Sequence, residues 1–107
     1  FFEYRKSYSH KKVELYKIMY FIRDNRKVTV VTSEEKDAFY ESLEKVYERV
    51  KQYDFLFIHK SYLINYRYIE TIRYDSVTMT DGTEFSISQS RRKEIRKRYM
   101  EIMSSQI

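Results

Sequence analysis

At 107 residues the chain is one domain in length, with room for a single modest core. Its 12 Tyr, 7 Phe and 42% hydrophobic content exclude a disordered segment, and the lack of Cys excludes disulfides and thiolate chemistry. A net charge of +5 favours an anionic partner (nucleic acid, an acidic protein or an anionic surface) without choosing among them, or serves solubility alone.

No apolar run reaches the length of a membrane span, so no membrane role is expected. The cysteine-free composition fits a reducing, cytoplasmic setting. The chain starts at Phe1-Phe2 without an initiator Met and reads as a piece cut from a longer protein.

Residues Phe1 to Lys12 mix polar and aromatic residues with no clear period, and His10 reads as an exposed side chain. Val13 to Ile22 reads as one or two buried strand segments. Arg26 to Thr32, rich in β-branched residues, reads as another strand. Between them Asp24-Asn25 suits a turn, giving a hairpin whose tip carries Arg23, Arg26 and Lys27. That tip is either a solvated turn or a basic loop reaching an anion.

Ser33 to Lys51 supports two readings. Phe39, Leu43, Val46, Tyr47 and Val50 fall on one helical face, which would start a helix near Ser33 or Glu34. Ser42 offers a later N-cap. Acidic residues crowd this segment (Glu34, Glu35, Asp37, Glu41, Glu44, Glu48) and make it a poor surface for phosphate.

Phe55 to Asn65 reads as a strand interrupted by polar residues. Alternation puts Phe55, Phe57, His59 and Ser61 on one face, and Leu56, Ile58, Lys60 and Tyr62 on the other. The plain expectation is a strand that leaves the core at His59, turns, and returns at Leu63-Ile64. Tyr68 to Tyr74 reads as a further strand. Val77 to Thr80 and Thr83 to Ser88 alternate on either side of Asp81-Gly82, a strong hairpin signal. Val77 and Met79 should face the core with Phe85 and Ile87.

The C-terminal segment is basic at every position from Arg91 to Arg98 except Glu94 and Ile95. Ser90 can N-cap a helix here, with Ile95, Tyr99 and Ile102 on its apolar face. Free N–H groups at a helix start attract phosphate.

Catalytic chemistry is poorly supplied. Two His, no Cys and no paired-His spacing argue against a metal site. His59 and Ser61 lack an orienting acid. Gly82, the only Gly, rules out a glycine-rich phosphate loop. A ribonuclease built on His10, His59 and Lys60 is a minor branch, so no enzyme, cofactor or metal is expected. Binding chemistry is richer. Arg26, Lys27, Lys60, Arg91, Arg92 and Lys93 can neutralise phosphates. Asn25, Arg26, Lys60 and Gln89 carry donors able to read base edges.

The run Phe55-x-x-Ile58-His59-Lys60-Ser61-Tyr62-Leu63-Ile64-Asn65 resembles the signature of LytTR-type DNA-binding domains. It departs at Phe57, where the family usually has Arg. The likeness extends from about Val13 to Tyr99 through Leu43, Ile69, Asp81-Gly82 and Phe85-Ser86-Ile87-Ser88.

The resemblance implies a mostly-β fold of antiparallel sheets and hairpins, with one short helix after the middle strands and a C-terminal helix. It places a short strand at Lys36 to Tyr40 and starts the first helix near Ser42. The chain would be one domain over 1–107, with a core of about 13–99. It would be the output end of a two-component response regulator whose N-terminal receiver lies elsewhere.

The implied partner is double-stranded promoter DNA with direct repeats, bound by loops in major grooves and open to a dimer on DNA. The contacts implied fall in three segments: Arg23, Asn25, Arg26 and Lys27; His59, Lys60 and Ser61; and Gln89, Ser90, Arg91, Arg92 and Lys93. Gln89 stands where the family often has Arg, which implies a different operator. His59 would hold its turn or touch phosphate, and Ser61 and Ser90 would touch phosphate. The rival readings are an RNA binder and a module for an acidic protein.

Overall fold

A computed structural model describes residues 1–106. They form ten strands and two α-helices. The frame is a five-stranded antiparallel sheet of β3 (Ile18–Asp24), β4 (Lys27–Thr32), β5 (Lys36–Tyr40), β6 (Phe55–His59) and β7 (Tyr62–Asn65), in the order β5-β4-β3-β7-β6. One face packs against the hairpin β1 (Phe2–Lys6) and β2 (Ser9–Val13) and against helix α1 (Leu43–Val50). The other face packs against a three-stranded sheet of β8 (Ile69–Ile72), β9 (Ser76–Met79) and β10 (Glu84–Ser86), and against helix α2 (Arg92–Ser105).

The central sheet is therefore buried on both sides, and its sequence shows it. Phe21, Val28, Val30 and Leu63 point into the core with β1 and α1. Tyr20, Val31, Leu56, Ile58 and Ile64 point into the core with β9, β10 and α2. Strand β3 carries the near-continuous apolar run that two-sided burial demands. A register shift between Ile18 and Tyr20 sends the adjacent Met19 and Tyr20 into the same core.

The strand at Lys36–Tyr40 and the helix capped by Ser42 are present, and a helix from Ser33 is not. The Ser42 hydroxyl accepts from the Lys45 N–H at 3.2 Å. Helical periodicity misleads here because Phe39, on a strand paired with β4, and Leu43, on the helix, fill one core. The hairpin at Asp81-Gly82 also forms, and Val77, Met79, Phe85 and Ile87 are buried as expected.

Two expectations need correction. Phe1 to Lys12 is an ordered hairpin: Phe2 and Tyr4 alternate into the core, and Ser7 makes its turn at φ +54°. Ser-Tyr is not a dipeptide that announces a turn. Ser90 does not cap α2. It lies in a 3-10 turn, Gln89–Arg91, that leads into the helix at Arg92.

Polar side chains, Asn65 and Asp37 buried and Asp81 at the surface, fasten the layers. Asn65 donates to the Ile18 carbonyl at 2.9 Å and accepts from the Arg67 N–H at 3.0 Å, tying the end of β7 to the start of β3. Asp37 on β5 accepts from the Tyr4 hydroxyl at 2.6 Å, pairs with Lys6, and lies 3.6 Å from Lys11. Asp81 accepts from the Tyr20 hydroxyl at 2.7 Å and from the Thr83 N–H at 2.9 Å, joining the two sheets. For Asp37, burial pushes the pKa up, but the bonds from Lys6 and Tyr4 and the Lys6 and Lys11 charges outweigh it. The carboxyl stays below the ordinary Asp value.

A folded-state pKa below the unfolded one stabilises the fold above the unfolded value, near 4, and loses that contribution as pH falls through the folded value. Asp37→Asn should therefore lower stability at neutral pH by about 1–3 kcal/mol and shorten the acid-induced loss. Urea unfolding from pH 7 down to pH 2 measures both. Identical acid limbs in the two proteins would remove Asp37 from this role.

Candidate nucleic-acid interface

Three basic segments of distant sequence meet at one end of the central sheet. The β3–β4 hairpin turns there through Asn25-Arg26, because Asp24 pairs with Lys27. Asn25 takes φ +61°, a left-handed conformation that Asn tolerates better than most residues. The β6–β7 hairpin turns at the same end through Lys60-Ser61, since β7 pairs with β3 and Ile22 lies opposite Tyr62. A hydrogen bond of 2.8 Å from the Arg23 N–H to the Ser61 carbonyl clasps the two hairpins together.

The third segment is pinned beside them. The Ser88 N–H donates to the Ile58 carbonyl at 2.9 Å, so the chain from Gln89 onward departs from the end of β6. Arg91 reinforces this by donating to the Phe57 carbonyl at 3.1 Å, with its guanidinium 4.4 Å from the Phe57 ring centre. Phe57 is the position where the sequence departs from its signature, and here a guanidinium from elsewhere in the chain covers it.

The side chains divide by what already occupies them. Asn25, Arg26, Lys60, Gln89, Ser90 and Lys93 are exposed. Arg23 donates to the Asn25 carbonyl at 3.2 Å, and Lys27 lies 5.2 Å from the Tyr40 ring centre. Arg91 and Arg92 are half-buried, with Arg92 donating to the Ile87 carbonyl at 3.0 Å. Among the described residues, none of the Lys or Arg of these three segments forms an ion pair; elsewhere Lys6, Lys11, Lys17, Arg49, Lys51, Arg73 and Arg98 do, while scattered residues such as Arg5, Lys45 and Arg67 do not. A row of unpaired cations at one end of a sheet is a surface able to receive phosphates. The start of α1 bounds it, because Glu41 and Glu44 share a depression with Arg23 and Arg26.

His59 departs from the alternation expected for it. A register shift between Phe57 and His59 takes it off the Phe57 face. It stacks on Tyr62 at 4.6 Å between ring centres, and Tyr62 in turn packs on Phe85. Bulges re-aim side chains in this way, and no residue type in the run announces one. The ring Nδ1 accepts from the Ser61 N–H at 3.0 Å, closing the Lys60-Ser61 turn. Burial, then the Lys60 and Arg91 charges, push the His59 pKa below its usual value. The ring is thus neutral at pH 7, with its proton on Nε2 as a donor.

Sequence reasoning named the three segments but missed what holds them together. Ser88, the Arg23–Ser61 clasp and the His59–Tyr62 stack have no local signal, since each joins residues through the sheet. Ser61 is half-buried, and both its N–H and its carbonyl serve the turn and the clasp. Among the described residues no group of three or more His, Cys, Asp or Glu could hold a metal ion, and no helix is long and apolar enough to cross a membrane.

Comparison with known proteins bears on the family and the fold. The family model of the LytTr DNA-binding domain matches residues 8–100. A solved structure, described as the LytTr DNA-binding domain of a methyl-accepting/DNA response regulator from Bacillus cereus, superposes with a TM-score of 0.79 at 22% identity. The match covers 91% of this chain and 94% of that one. No curated protein matches the chain.

The histidine geometry is open to a direct check. His59 should titrate below 6.5, with ring nitrogen shifts of the Nε2-protonated tautomer at pH 7. A midpoint above 6.5 by NMR would mean that the ring meets an acidic group and not the cations described.

Proposed function

The chain belongs to the LytTR DNA-binding domain family, and from that premise we propose that it reads promoter DNA with its two hairpin tips and the start of α2, as the output domain of a response regulator. The observation that carries this reading is the meeting of three unpaired basic segments at one end of the central sheet. Strands in a sheet lie about 4.8 Å apart, so the row from the Asn25-Arg26 tip across Lys60-Ser61 to Gln89 spans roughly 20 Å. A major groove is about 12 Å wide. The row is thus wide enough to enter a groove and meet the phosphates that flank it.

The roles follow from exposure and prior bonding. Arg26, exposed at a two-residue tip, can present its fork to a guanine edge. Lys60 on the neighbouring tip reads a second acceptor. Gln89 suits adenine and not guanine, so the operator differs from one read by Arg at that place. Lys27, Lys93 and Ser90 are phosphate contacts, while Arg23, Arg91 and Arg92, with donors already committed to carbonyls, position their segments and add charge. Asn25 shapes its tip. His59 Nε2 and Ser61 Oγ donate to phosphate beside Lys60. Two copies bind a direct repeat, and an N-terminal receiver controls the domain. The description of the Bacillus cereus structure as part of a response regulator supports this placement.

The test is a duplex-binding titration with a selected operator and with random DNA, each at several salt concentrations. Arg26→Ala should cost about 1–3 kcal/mol on the operator and much less on random DNA. Equal losses on both would reassign Arg26 to the backbone. Lys93→Ala should weaken both duplexes alike and reduce the salt slope by about one. Binding of the parent chain that is equal on all sequences would remove the reading of bases altogether.

A further inference from the structure

Adjoining the third basic segment, α2 and the edge of β8 flank a partly open cavity of about 160 Å³. Its floor is apolar, built by Ile72, Ile87 and Ile95, with Tyr99 beside them. Its rim is basic: Arg73, Arg92 and Arg96 all line it, and no carboxylate does. Three guanidinium groups around one cavity repel each other and cannot shed their charge. They are only partly satisfied. Arg73 lies 3.9 Å from Glu84, both of them exposed, and Arg92 gives Nε to the Ile87 carbonyl. Arg96 has no hydrogen bond or ion pair among the described residues.

We propose that this cavity binds a small amphipathic organic anion, with one ring or branched apolar body on the isoleucine floor and a carboxylate against the arginines. Size sets the body: a cavity of about 150 Å³ accepts a single benzene ring. Charge sets the headgroup, because an arginine fork bonds a carboxylate with two parallel N–H donors. The ligand would also act on the rest of the molecule. Arg92 belongs both to this rim and to the basic segment at the start of α2, so an anion held here draws on charge that DNA would otherwise meet. That coupling, unlike the site itself, rests on the DNA-binding reading.

The probe is benzoate, titrated into the isotope-labelled chain and followed by amide NMR, with benzyl alcohol and inorganic phosphate as comparators. Saturable shifts confined to Ile72, Ile87, Arg96 and Tyr99 are expected. Benzoate should bind on the order of tenfold tighter than either comparator. Arg96→Ala should weaken benzoate by a similar factor, and Arg96→Lys by less. Arg96 is exposed, so neither variant threatens the fold. Shifts that do not saturate, equal binding of either comparator, or an Arg96→Ala protein that binds as the parent does would each overturn the site. Saturating benzoate should also weaken duplex binding several-fold. If the chain binds no duplex at all, the NMR result still judges the cavity on its own.

Discussion

From Ile18 to Phe21, strand β3 has no side left for water. It pairs with β4 on one edge and β7 on the other, and its two faces fill two different cores. A strand held on four sides cannot slide, since a slip of one residue would exchange the contents of both cores. Everything at the basic end inherits that fixity. The Asn25-Arg26 tip is the continuation of β3, the Lys60-Ser61 tip hangs on β7 beside it, and the start of α2 is pinned to β6. Asn65 extends the same anchoring to the opposite end by bonding the Ile18 carbonyl.

The two cores were largely readable from residues, and their separation was not. Alternation in Val77 to Met79 and Phe85 to Ile87 identified the buried side chains, because each strand there has one dry face. Alternation failed at His59, where a bulge shifts the phase and nothing in composition reports it. Helical periodicity failed at Phe39 and Leu43, where a strand and a helix feeding one core imitate a single helix. The N-terminal hairpin escaped notice because its turn relies on Ser7 at positive φ and not on Gly or Asn. The resemblance to a family signature corrected the Phe39 misreading, since it carries knowledge of the whole fold that a local pattern lacks.

The signature itself divides into two kinds of residue. Phe55, Ile58, Leu63, Ile64 and Asn65 are buried and serve the sheet. His59 and Ser61 bond each other to shape the turn, and only Lys60 stands fully clear of it. The motif is thus mainly a specification of fold, with the exposed part reduced to a turn. Charge follows the same economy. Asp37 on β5 is consumed in fastening the N-terminal hairpin, whereas the cations of the basic end form no ion pair among the described residues.

The two-residue tips carry a consequence for how such a domain changes over evolutionary time. Asn25 is bound by its own backbone, because φ +61° admits few residue types, whereas Arg26 and Lys60 are exposed and contribute nothing to either core. The positions free to vary are thus the ones aimed outward. A lineage can exchange those side chains one at a time without disturbing the cores, and present a different surface with the scaffold untouched. Innovation is confined to a few letters at the rim of a frame that resists alteration.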